Sequence, residues 1–184
     1  MEKTLRWMGR TLKTFLAPAV VIARRRTHSG RLYILPAAET KTDPRYLVDP
    51  VTLPEAKRPE LARYGAKRKD EQWRLIEADD FVVMSATNMS SAAHDVVFSP
   101  QLGHDSGTLD LIVMRGASRL QLVKTFVAME TGTHVSLPGV EVFRVTQFVL
   151  EPRRSSGELN LSGEEYPLAP TFVECRPRAA TFWG

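Results

Sequence analysis

The 184-residue sequence predicts a mainly β fold: an antiparallel β-sandwich crossed by a buried helix, with an N-terminal linking helix. Three observations predict it. First, about seven to nine short runs rich in Val, Ile, Leu, Phe and Thr are bounded by Gly, Pro, Asp or Ser, as strands and turns are. Second, these runs do not alternate regularly with helical patterns, so a parallel doubly wound sheet is not expected. Third, Ser118–His134 carries the signals of a single strong helix. Ser118 and Gln121 stand three apart, the spacing of a capping box. Leu122, Phe126 and Met129 share one helix face, and Leu120, Val123 and Val127 line the next. An apolar surface that wide predicts burial. Gly132 is placed to end the helix, because glycine takes the left-handed conformation without a steric penalty.

Residues 3–23 read as the linking helix. Lys3, Arg6, Arg10 and Lys13 fall on one face, while Leu5, Met8, Leu12, Phe15 and Leu16 point largely elsewhere. A solvated basic face over a buried apolar one is the first reading. A phosphate-facing helix, a membrane-surface helix and a transit peptide are the sharper ones. Pro18 should kink or end the helix, since it lacks an amide and clashes with the preceding turn. Arg24-Arg25-Arg26 follows where a secretory signal would have a small-residue cleavage site, so the apolar run 14–23 is read as part of the fold. Gly30 then opens a strand over 31–36. The segment 39–70 is Pro-punctuated and densely charged, and predicts a long surface loop.

Trp73–Ile76 predicts a short strand, Asp79-Asp80 a turn, and Phe81–Thr87 a strongly apolar strand of central type. Val96–Phe98 is a further short strand, stopped by Pro100, and Leu109–Met114 is the strand before the helix. Val140–Leu150 alternates, but neither side is purely apolar, which suits a long strand that changes surroundings midway. Glu158–Leu161 and Thr171–Glu174 read as strands around a Ser162-Gly163-Glu164 turn.

Composition excludes several function classes. Hydrophobic residues make up 43% of the chain, enough for a core, and the net charge of +4 permits an anionic partner without demanding one. The single Cys175 forms no intrachain disulfide and fits a reducing compartment. His28, His94, His104 and His134 lack metal-ligand spacing, so no metal site is expected. There is no Walker string, no Gly-x-Gly-x-x-Gly and no Gly-x-Ser-x-Gly elbow. Basic residues are not interleaved with aromatics as in single-strand binders, so the basic balance is the sole support for a nucleic-acid-binding β-domain, and no nucleic-acid partner is expected.

A more specific signal lies in the order of several phrases. Asp80-Phe81 leads a strand ending Ala86-Thr87-Asn88-Met89-Ser90. Phe98-Ser99-Pro100 follows, then Gly107-Thr108-Leu109-Asp110-Leu111, then Ser118-Arg119 opening a helix that closes Phe126-Val127-Ala128-Met129-Glu130-Thr131-Gly132-Thr133-His134. Phe148–Pro152 and Gly163-Glu164 complete the series, and Leu5–Gly9 with Thr14-Phe15 precede it. In this order the chain resembles the C-terminal lobe of sphingosine kinases, within the diacylglycerol-kinase-like family.

The resemblance implies a two-lobed lipid kinase that transfers the γ-phosphate of ATP, with Mg²⁺, to the primary hydroxyl of a sphingoid base. Its first lobe carries a Gly-Gly-Asp-Gly-type loop. No Asp-Gly dipeptide occurs here, so the nucleotide-binding lobe is expected to be absent from this chain and the chain to be inactive alone. Residues 1–184 would then form one substrate-binding lobe. By resemblance, Leu122, Phe126 and Met129 line a lipid-tail pocket with His134 at its wall, and Phe81 and Val83 are further candidates. Arg6 and Arg10 resemble arginines that reach nucleotide phosphates, a role suited to the bidentate guanidinium. The family's Asp-Gly-Glu turn reads Ser162-Gly163-Glu164 here, which leaves Glu164 as the candidate for a catalytic role. The implied partners are a sphingoid base, a separate nucleotide-binding lobe and a membrane surface, in a cytoplasmic and peripherally membrane-associated setting. The alternative reading is a non-catalytic module that binds lipid or a partner protein.

Overall fold

The computed structural model describes residues 22–23, 25–37, 51–52, 73–93, 96–103, 106–154 and 157–179. The architecture within them is mainly antiparallel β, as expected, with one full α-helix and two helical residues, Ile22 and Ala23, ahead of the first strand. The strands are β1 (His28–Pro36), β2 (Val51–Thr52), β3 (Arg74–Thr87), β4 (Ser91–Ala93), β5 (Val96–Val97) and β6 (Leu109–Arg115). Helix α1 (Arg119–Ala128) and a 3₁₀ turn (Thr133–Ser136) follow, then β7 (Val140–Pro152), β8 (Glu158–Leu161), β9 (Glu164–Pro167) and β10 (Thr171–Glu174).

Two long strands make the sandwich. The first half of β3 and the second half of β7 flank β1, with β10 beyond β7, and form one layer. The second half of β3 and the first half of β7 flank β6 and form the other. Each long strand therefore passes from one layer to the next, and each turns its corner at a register irregularity: between Phe81 and Val83 in β3, and opposite Leu35/Pro36 in β7. Such irregularities bend a strand and let it switch sheets. The core lies between the layers and takes Leu32, Ile34, Ile76, Leu111, Val145 and Phe148 among others. Tyr33, Leu35, Trp73, Leu75 and Val149 form a second cluster on the opposite face of the first layer. There the Tyr33 hydroxyl donates to Glu151 at 3.2 Å, and burial beside that carboxylate pushes its pKa up to about 12.

The mixed alternation of 140–150 has its explanation in this corner. Phe143 and Val145 enter the core from the first half of β7, and Phe148 enters it from the second. The parity of inward residues switches between 145 and 148. The same effect overturns the separate strands expected at 73–76 and 81–87. Asp79-Asp80 is no turn; it lies within the continuous β3. Arg153 on the neighbouring chain end pairs with Asp79 and with Glu77, which holds acidic side chains on the outside of an unbroken strand. Strand β9 was not expected, because Glu-Glu-Tyr-Pro carries no apolar alternation. Among the described residues it pairs only with β8, in a hairpin whose β9 residues are all exposed.

The expectation of a buried helix is corrected. The capping box forms: the Gln121 amide donates to Ser118 Oγ at 3.3 Å, and the Ser118 amide donates to Gln121 Oε1 at 2.8 Å. Yet only Leu122 and Thr125 of α1 are buried, while Leu120, Val123, Phe126 and Val127 are exposed. The helix crosses the outside of the second layer with a single face seated. It also ends at Ala128, before Gly132, whose φ of 71° opens the 3₁₀ turn instead. Of the expected 39–70 loop, only Val51–Thr52 is described, paired with Leu75 and Arg74. The linking helix over 3–23 lies outside the described residues except Ile22 and Ala23.

Candidate functional site

A cavity of about 720 Å³ lies where α1 crosses the outer face of the second layer. Its floor comes from strand parity. Along β6, Leu109, Leu111 and Val113 point into the core, so Ile112 and Met114 point outward into the cavity. Past the corner in β3, Met84 packs on the core and Val83 and Ser85 face the cavity. Leu122, Thr125, Phe126 and Met129 form the helix wall. Phe98 and the buried His134 also line it, and Arg25, Arg26, His28, Gly157 and Glu158 complete the lining; the exposure of Arg26 and Glu158 marks this polar end as its entrance.

His134 is 1% exposed. Its Nε2 lies 3.0 Å from the Phe98 carbonyl oxygen, which can only accept, so Nε2 carries the proton and Nδ1 is the bare nitrogen. Nδ1 has no hydrogen-bond partner among the described residues. Burial lowers the pKa below the usual imidazole value. The ring is thus neutral near pH 7, as a wall of an apolar cavity requires.

The loop that holds His134 is itself clamped. Asp110 is 1% exposed and is the one acid in β6, amid the apolar run Leu109–Met114. Its cross-strand neighbour Arg144 donates from Nε to Oδ1 at 2.8 Å and from Nη2 to Oδ2 at 3.0 Å. The buried Ser99 hydroxyl donates to the same Oδ2. The amides of Phe98 and Ser99 bond to the Ser90 carbonyl at 2.9 and 3.0 Å, and the Val97 amide bonds to the Met129 carbonyl at 2.9 Å. The chain from Asp110 through Ser99 and Phe98 to His134 therefore ties β6, β7, the 97–102 loop and the end of α1 into one frame.

Of the residues expected at the site, the structure brings Val83, Leu122, Phe126, Met129 and His134 around one cavity. Phe81 is elsewhere: it points into the core between the layers. Phe81 and Val83 are two apart and would share a face in a regular strand. The register irregularity between them sends them to opposite faces. Glu164 stands exposed at the start of β9, where it accepts from the Tyr166 hydroxyl at 2.7 Å, and it does not line the cavity. Among the described residues no three carboxylate, imidazole or thiol groups converge. Arg6 and Arg10 lie outside the described residues.

Two groups were not anticipated. The Ser99–Asp110–Arg144 cluster had a partial signal: Asp110 is the one acid in the apolar run 109–114, while Arg144 stands in a strand that also holds Glu141, Thr146 and Gln147. The cationic entrance at Arg25, Arg26 and His28 had none, since a basic run after an apolar one reads equally well as a solvated end.

Residues 69–183 match the YegS C-terminal NAD kinase beta sandwich-like domain. The chain is 35% identical over 112 residues to sphingosine kinase 2 of Homo sapiens, covering 59% of this chain and 17% of that protein. It is 30% identical over 155 residues to sphingosine kinase 2 of Arabidopsis thaliana, covering 82% of this chain and 32% of that protein. Sphingosine kinase 1 of Homo sapiens is 28% identical over 157 residues, covering 84% and 39%. The chain thus spans well under half the length of these relatives. A two-layer antiparallel sandwich whose corner-turning strands seat one helix over an apolar cavity, with these matches, shows that the chain belongs to the YegS C-terminal, NAD kinase beta sandwich-like family, as the C-terminal lobe of a sphingosine-kinase-like lipid kinase.

Proposed function

We propose that this lobe holds the hydrocarbon tail of a sphingoid base while a nucleotide-binding lobe, with ATP and Mg²⁺, phosphorylates the base's primary hydroxyl. The observation that carries the reading is the cavity. Its 720 Å³ falls within the roughly 300–1,000 Å³ of small-ligand pockets. Its floor and helix wall are mostly aliphatic, aromatic and thioether side chains, with the hydroxyls of Ser85 and Thr125 among them, and its buried histidine is neutral. Phosphoryl transfer depends on positioning and on neutralising charge. The described residues offer positioning for a tail, and this reading assigns the nucleotide, its metal and the transfer itself to the other lobe. A cytoplasmic, peripherally membrane-associated setting belongs to the same reading and is supported by the exposed Leu120, Val123 and Val127 on the outer side of α1, beside Lys124.

Calorimetric titration of the purified 184-residue chain with a long-chain base tests the tail site. Saturable binding that weakens in Phe126→Ala is expected; no binding to the wild-type chain would refute it. Robust ATP-dependent phosphorylation by the chain alone would refute the division of labour. The second reading, a non-catalytic lipid- or partner-binding module, is favoured by Ser162, which sits in the left-handed region with a φ of 52° at the hairpin tip and brings no charge. Failure of the chain to support phosphorylation when a nucleotide-binding lobe is supplied, with lipid binding retained, would select it.

A further inference from the structure

The entrance of the cavity carries charge that its apolar interior does not require. Arg25, Arg26 and His28 line it, with Arg26 exposed and Arg25 and His28 half-buried. Glu158 is the one carboxylate among the lining residues. Arg31, Arg115, Arg144, Arg153 and Arg176 each pair with a carboxylate elsewhere. Arg25 has no such ion pair among the described residues. Its Nη2 reaches the Gly116 carbonyl at only 3.5 Å, and its Nε is buried without a hydrogen-bond partner. His28 is held in place by packing: a Cβ at Gly157 would lie 3.0 Å from His28 Cε1, so the glycine makes the room that the imidazole fills. Unneutralised guanidinium groups therefore stand where the head of an amphiphile seated in the cavity would lie.

A long-chain base complements that entrance poorly, since two guanidinium groups repel its ammonium and Glu158 alone attracts it. A phosphomonoester does: it carries roughly −1.5 to −2 charge near pH 7 and three acceptor oxygens, and guanidinium is suited to it by its parallel donors. We propose that the cavity and its Arg25–Arg26–His28 entrance form a site for a single-chain phosphomonoester lipid, so that this lobe retains the phosphorylated long-chain base more tightly than the unphosphorylated one. This rests on the tail-cavity reading above. Its consequence for the kinase is retention of product at the lobe that first received the tail.

The test is calorimetric titration of the 184-residue chain with sphinganine, sphinganine 1-phosphate and inorganic phosphate, at low and high salt. The phosphorylated lipid is expected to bind roughly tenfold more tightly than sphinganine, the size of one charge-assisted hydrogen bond. That preference should shrink as salt screens the exposed charge. Arg26→Gln, at an exposed position, should remove most of the preference without moving the urea midpoint, and Arg25→Gln, at a half-buried position, should also reduce the preference. Sphinganine binding as tightly as its phosphate, or a preference untouched by both substitutions, would overturn the inference and leave the tail site standing. Inorganic phosphate displacing the lipid at comparable concentration would also overturn it, because the entrance would then be a bare anion site. Failure of both lipids to bind would overturn the tail-cavity reading itself.

Discussion

Replacing Asp110 by alanine should cost this lobe about 3–5 kcal/mol, the usual penalty for removing one partner of a buried ion pair. The magnitude follows from what remains. The Asp110 side chain is 1% exposed and that of Arg144 13%, so the guanidinium would stay largely out of water with its two charge-assisted bonds gone. Ser99, also buried, would lose the acceptor for its hydroxyl. A domain of this size has a total stability of about 5–15 kcal/mol, so the loss is a large share of it. At about 2–4 °C per kcal/mol the melting temperature should fall by roughly 6–20 °C. Urea unfolding of the wild type, Asp110→Ala, Arg144→Met and a combined Ser99→Ala/Asp110→Leu/Arg144→Met variant separates the causes. The combined variant should lie within about 1–2 kcal/mol of wild type, because removing all three of these side chains orphans neither charge of the pair, and apolar replacements of such clusters are often neutral. A single Asp110→Ala loss under about 1 kcal/mol would refute the reasoning, as would a combined loss equal to the sum of the singles.

Leu122 and Phe126 should separate stability from binding. Leu122→Ala should cost about 2–4 kcal/mol by cavity formation in the cluster with Met114 and Ala117, read by urea unfolding. Phe126, 41% exposed, should cost well under that as alanine while weakening long-chain-base binding, read by calorimetry. His134 should give a pH signature. Its folded pKa lies below the unfolded value near 6.5, so the folded state binds fewer protons, and the stability it contributes is present above pH 6.5 and lost as pH falls toward the folded pKa. The urea midpoint should therefore drop on acidification below 6.5, and less so in His134→Leu. Gly30→Ala should destabilise the β1–β7 pairing by about 1–3 kcal/mol, because the new Cβ would lie 2.8 Å from the Glu151 carbonyl oxygen, a backbone atom that cannot swing away. Wild-type stability in that variant would show that the strand end can shift.

Local chemistry was legible without coordinates wherever it acts over a few residues. The capping box at Ser118 and Gln121, the strands read at 31–36, 109–114 and 171–174, and the lack of a phosphate loop all follow from spacing and residue type, the structure extending the first two to 28–36 and 109–115. The order of phrases along the chain identified the family and the set Leu122, Phe126, Met129 and His134. The tertiary structure decided what depends on the corners. Alternation assigns faces only along a regular strand, and β3 and β7 each break register where they change layers. For that reason Phe81 fills the core while Val83 walls the cavity, and Phe143 and Phe148 meet on one side. Exposure of α1 was likewise decided by packing: its apolar width predicted burial, but one sheet face can cover only one side of a helix. The Asp110–Arg144 clamp and the cationic entrance needed the fold most, since their residues are 34 positions apart in one case and meet Glu158 from more than a hundred positions away in the other.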